Sequence, residues 1–135
     1  MTLDEIKYHV MFQTNNDFDD IGDFEPHIID YINEAYDRLV NAWAKVHTKF
    51  NAEDYPRLAE SMDVPKTPEW THRYLADWAT WLVYRNGNPQ KQQRGYAYRE
   101  AFERMLSQVS DEGGASGVDE NGNRKTYKNF FNIPK

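Results

Sequence analysis

Apolar residues recur at helical spacing in four stretches of this chain, separated by stretches where they do not. Leu3, Ile6 and Val10 step by three or four behind Thr2-Leu3-Asp4-Glu5, with Met11 beside them. The Thr and Glu three apart spell a capping box, so a short helix is predicted to end near Phe12 or Gln13. Residues 15–26, "NNDFDDIGDFEP", read as a loop, because Asn, Asp and Gly favour local turns and Pro26 suits the first turn of a new helix. A second helix is predicted from Phe24 to Lys49, with Ile28, Ile32, Ala35, Leu39, Trp43, Val46 and Phe50 on one face and Ile29, Tyr36 and Val40 widening it. Three prolines then leave room for one short helix over Pro56–Met62 and an extended link through Val64-Pro65.

Thr67 is placed to cap a third helix that Pro68 begins. Its face carries Trp70, Tyr74, Leu75, Trp78, Trp81, Leu82 and Arg85, and it stops at Asn86-Gly87, where a left-handed cap is natural. The fourth helix runs from about Pro89 to Val109 with Tyr98, Ala101, Phe102, Met105, Leu106 and Val109 inward, and Gly95 costs it about 1 kcal/mol relative to Ala. So short a connection makes these last two helices an antiparallel hairpin.

The expected fold is therefore all-α: a small helical bundle of four helices over residues 1–109, followed by an extended C-terminal arm over 110–135. Residues 110–122 are rich in Gly, Ser, Asp and Glu and read as a flexible spacer, whereas Tyr127, Phe130, Phe131 and Ile133 sit among basic residues as an adhesive end. Asn121-Gly122 offers an alternative, a turn pairing the Val118 side with Thr126-Tyr127.

Composition sharpens this picture. Aromatics are 15% of 135 residues, which lets a polar chain fill a core with few side chains. With no Cys, disulfides, thiolate metal sites and a cysteine nucleophile are excluded. No 18-residue apolar run and no basic-then-apolar leader is visible, so the expectation is a chain made in the cytosol and without a membrane partner. The net charge of -6 is divided unevenly: residues 1–63 hold fourteen acidic and five basic side chains, residues 64–135 eight and eleven. Opposed halves can attract successive copies head to tail.

Candidate chemistry fails on inspection. Asp17, Asp19 and Gly22 match calcium-loop positions, but Ile21 and Ile28 replace two required oxygen ligands. Gly117 and Gly122 have phosphate-loop spacing without the Lys-Ser/Thr that must follow, and Ser116 lacks the strand a nucleophile elbow needs. His9, His27, His47 and His72 show no pairing for a metal. Asp19-Asp20 lies in a polar loop with no pocket to shift a pKa. No enzyme activity, metal or cofactor is expected. The interleaved "KQQRGYAYR" supports a rival reading, a nucleic-acid-binding module using Lys91, Arg94 and Arg99 with Tyr96 and Tyr98 for charge and stacking.

The order of parts, with "INEAYDRLVNAW" and "RYLADWATWLVYRNGNPQKQQRGYAYREAFERML", resembles the small helical head-to-tail connector (adaptor) proteins of tailed bacteriophages. Tyr74-Leu75-Ala76 with Ala79 and Leu82, the turn Asn86–Pro89, and Tyr98, Phe102 and Leu106 carry the likeness. The Trp-rich "ATWLVYRNG" and everything from Ser110 depart from it. The resemblance implies a virion protein of the head-tail interface, assembled in the host cytoplasm. It would form a ring of about twelve copies beneath the portal protein and beside tail proteins, with DNA passing through the lumen without specific binding. In this reading Tyr127, Phe130, Phe131 and Ile133 bind portal or neighbour, while Arg94, Arg99 and Arg104 meet Asp17, Asp19, Asp20 and Asp23 of the next copy.

Overall fold

A computed structural model of the chain describes residues 1–18, 24–44 and 51–116. They form an all-α bundle: α1 (Leu3–Gln13), α2 (Phe24–Ala44), α3 (His72–Arg85) and α4 (Pro89–Ser116), with short 3-10 turns at Ala52–Asp54 and Glu69–Thr71. No strand occurs among the described residues.

Local chemistry sets the helix ends. Thr2 and Glu5 close the expected capping box, the Glu5 N–H donating to Thr2 Oγ1 at 3.1 Å and the Thr2 N–H to Glu5 Oε1 at 2.8 Å. The next free donors of α1, the N–H groups of Leu3 and Asp4, go to the carbonyls of Asp63 and Ser61. Beyond α1 the chain reverses through Asn15 and Asn16 at φ 55° and 59°, a left-handed conformation that Asn tolerates better than most residues. Asn88 caps α4, its Oδ1 accepting the Lys91 N–H at 3.0 Å, with Pro89 at the first helical position.

Helix α3 is the axis. Met1 lies by His72 and Gln13 by Asp77 and Thr80, so α1 runs parallel to α3. Tyr31 meets Asn86 and Glu34 meets Trp78, so α2 runs antiparallel to it. Trp81 against Tyr96 and Trp78 against Phe102 make α4 antiparallel too. Surrounded on three sides, α3 buries ten of its fourteen residues, including Thr80, Val83 and Tyr84, which a one-face reading omits. Arg85, assigned to that face, is exposed.

Other expectations need correction. No helix forms over Pro56–Met62; the segment is irregular, because its polar groups are taken by side chains instead of by a helical ladder. Asn33 is the main one: its Nδ2 donates to the Leu58 carbonyl at 2.8 Å while its Oδ1 accepts the Leu58 N–H at 2.8 Å. The Asp63 carboxylate accepts the N–H groups of Ala59 and Glu60, which hold it below its ordinary pKa. Thr67 does not cap α3: its hydroxyl accepts from Thr71 at 2.9 Å, Pro68 leads into the 3-10 turn, and α3 starts at His72. The predicted stop of α3 at Asn86-Gly87 holds, with Asn86 as the C-cap (φ -81°, ψ -4°) and its side chain donating to the Leu82 carbonyl at 2.7 Å. Finally, α4 continues seven residues past Val109 to Ser116, since extending an existing helix costs far less than starting one. Val46, Phe50 and the arm beyond Ser116 lie outside the described residues.

Candidate interaction surface

The three arginines assigned to one outer face of the hairpin do not share one. Five-residue steps on a helix turn through about 140°, so Arg99 points to the opposite flank from Arg94 and Arg104. Arg99 lies 5.4 Å from the Trp81 ring centroid and 3.4 Å from Glu103, spending its charge within its own helix and hairpin. Arg94 and Arg104 are exposed, form no ion pair with any described residue, and sit within about 80° of each other on one side of α4. They are the two of the three whose charge no described carboxylate takes up.

Asp17, the first carboxylate of the acidic loop, is engaged in the same chain. Lys91 Nζ lies 3.1 and 3.2 Å from its two oxygens, tying the loop after α1 to the first turn of α4. Part of the charge division is thus neutralised internally. Asp19, Asp20 and Asp23 lie outside the described residues, as do Tyr127, Phe130, Phe131 and Ile133.

The rival basic segment is also divided. Tyr98 is half-buried and stacks on Tyr84, with centroids 6.5 Å apart, while Tyr96 stays exposed against Trp81 at 5.4 Å. The depression beside Tyr96 is lined by Arg99, Glu100 and Glu103, two carboxylates to one cation. That charge opposes a phosphate backbone.

A polar seam joins α1 to α3. Gln13 Nε2 donates to Asp77 at 2.9 Å, Gln13 Oε1 accepts from Thr80 at 2.6 Å, and the Tyr84 hydroxyl donates to the Gln13 carbonyl at 3.3 Å. Burial pushes the Asp77 carboxyl above its ordinary pKa, against the opposing pull of the Gln13 hydrogen bond and of Arg73 and His9. A carboxylate so placed destabilises the folded state at neutral pH, and the cost vanishes when both states are protonated. Asp77→Asn keeps an acceptor for Gln13 without the charge. Its melting temperature should exceed that of the parent at pH 7, with the gap closing as pH falls below the carboxylate range. A gap that widens in acid would refute this account of the seam. At the other end of α1, burial holds His72 below its ordinary pKa; its Nε2 donates to the Thr67 carbonyl at 2.8 Å and Nδ1 faces the Met1 amino group, also at 2.8 Å.

Among the described residues no group of three or more His, Asp or Glu is placed to hold a metal. The chain matches no family model, no curated protein and no solved structure. No helix among the described residues is long and apolar enough to cross a membrane.

One surface was missed. Tyr8 and Phe12, a helical turn apart on α1, are 70% and 80% exposed. The signal was present in the spacing, since both fall on the side of the helical wheel opposite Leu3, Ile6 and Val10. Beside Tyr8, a depression of about 330 Å³ between α1 and α2 is lined by Asp4, Glu5, Lys7, Tyr8, Met11 and Glu25. Lys7 is already paired with Glu25 at 2.9 Å and approaches Asp4 at 3.8 Å, so the rim keeps an acidic balance.

Proposed function

We propose that the protein is a structural assembly component that acts by contact with other polypeptides, in the form of a head-to-tail connector of a tailed bacteriophage. The observation that carries the reading is topological. A short capped helix, a loop, a long helix and an antiparallel hairpin follow one another in the order of the connector-like stretches, and α3 stands at the centre with the other helices around it. A bundle that closes a core among its own residues can repeat as a unit around an axis.

In this reading the ring sits beneath the portal in the virion, extends the DNA channel towards the tail, and grips DNA at no specific site. Arg94 and Arg104 contact the next copy, and the arm carrying Tyr127, Phe130, Phe131 and Ile133 binds portal or neighbour. A segment that orders on its partner offsets the entropy of ordering with buried apolar surface.

Deleting residues 122–135 should leave helix content and melting temperature nearly unchanged, because the described residues from Leu3 to Val109 already form a core cluster and residues 110–122 read as a polar spacer. The same deletion should abolish assembly into rings and onto a portal, read by native mass measurement alone and in mixture. Rings or portal complexes formed equally well by the truncated chain would refute the proposal. Tight binding of DNA that weakens steeply with salt would instead favour the basic-segment reading.

A further inference from the structure

We propose that the exposed Tyr8–Phe12 face of α1 is the seat for the C-terminal segment, residues 124–135, of a second copy of this chain. This rests on the assembly reading above and names the surface that the arm would occupy.

Three observations converge on it. The face is apolar and uncovered, with Tyr8 and Phe12 among the most exposed large side chains and Met11 beside them. Its rim is acidic, with Asp4, Glu5 and Glu25 around a Lys7 already engaged. The segment has the complementary chemistry: Arg124, Lys125, Lys128 and Lys135 without an acidic residue, alternating with Tyr127, Phe130, Phe131 and Ile133. Aromatic anchors in an apolar seat, with cations reaching a carboxylate rim, give both affinity and orientation.

Charge also discriminates between seats on the bundle. Met62 and Val64 are exposed as well, but their depression carries Arg57, paired with Asp30, and Lys66 against Asp63, so it lacks the acidic excess of the α1 rim.

The path of the chain selects a second copy over the same one. Because α1 is parallel and α4 antiparallel to α3, α4 leaves the bundle at the end where α1 begins. Its backbone continues to Ser116, about 10 Å beyond Val109 and away from Phe12. Seating on its own α1 would require the chain to turn back along the bundle after Ser116, whereas a second copy placed beyond that end would receive the segment directly. The contact is heterologous, so repetition closes a ring or extends a filament.

The test uses two full-length variants in sedimentation velocity. Tyr8→Ser/Phe12→Ser removes the seat at exposed positions, and Phe130→Ser/Phe131→Ser removes the anchors. Wild type should self-associate at tens of micromolar, more weakly at high salt. Each variant alone should lose at least tenfold in self-association with an unchanged melting temperature. An equal mixture should recover 1:1 dimers and stop there, since one partner supplies only a seat and the other only an arm. If the seat variant assembles like wild type while the arm variant does not, the arm docks elsewhere; this inference falls and the connector reading stands. A wild type that is monomeric yet binds a portal has the same consequence. A wild type that neither self-associates nor binds a portal removes both.

Discussion

Gly95→Val should lower stability by about 3 kcal/mol, because α3 and α4 touch backbone to ring at this position. A Cβ built on Gly95 would stand 2.7 Å from Trp81 Cε3 and 2.9 Å from Tyr84 Cβ, both closer than carbon atoms approach. Neither neighbour can step aside. Trp81 is 8% exposed and held between Tyr96 and Arg99, and Tyr84 is pinned by its stack on Tyr98 and its hydrogen bond to Gln13. Gly95→Ala separates the two opposing effects. Helix propensity alone would stabilise it by about 1 kcal/mol, while overpacking costs about 1–3 kcal/mol, so a net loss is expected. Urea denaturation of both variants reads the result directly. An Ala variant stabilised by the full propensity gain would show that the hairpin is looser than this.

Asn33→Ala should cost about 3 kcal/mol, although Asn33 is neither charged nor part of an apolar stripe. Its amide acts as a peptide group inside the bundle. One end holds the Leu58 N–H and carbonyl, and Nδ2 also reaches the Ile29 carbonyl at 2.9 Å. Removing it strands buried backbone groups of Leu58, itself 3% exposed, and frees the irregular segment that Leu58 anchors. The Leu58 amide should then exchange its hydrogen much faster, and so should the N–H groups of Leu3 and Asp4, which depend on the carbonyls of Asp63 and Ser61. Asn33→Asp should fail similarly, since it keeps the acceptor for Leu58 but loses the donor and adds a buried charge. Protection of Leu58 unchanged in Asn33→Ala would remove this clamp from the account of the fold.

Helix positions and most core residues were legible because they depend on local chemistry and on periodicity. The capping box at Thr2–Glu5, the stripe from Ile28 to Leu39, and the Asn88-Pro89 restart of α4 are each written within a few residues of where they act. The exposed aromatic pair on α1 is equally legible from the helical wheel, although an aromatic-rich composition points first to core material. Residues 117–135 enter only through their composition.

The remaining features depend on which helix lies beside which. That α3 is central, and hence buried on three sides, follows from the parallel and antiparallel pairings, which no single helix encodes. Gly95 reads as a weak point in an isolated helix and becomes a contact point only when Trp81 and Tyr84 face it. Asn33 and Leu58 are twenty-five residues apart, and their hydrogen bonds exist only because the bundle brings α2 against the irregular segment. Lys91 reaches Asp17 of the same chain across seventy-four positions, a pairing that the linear order of charges does not show. The physical reason is range: capping and periodicity act over a few residues and are visible in one dimension, whereas close packing and charge pairing act over a few ångströms and need three.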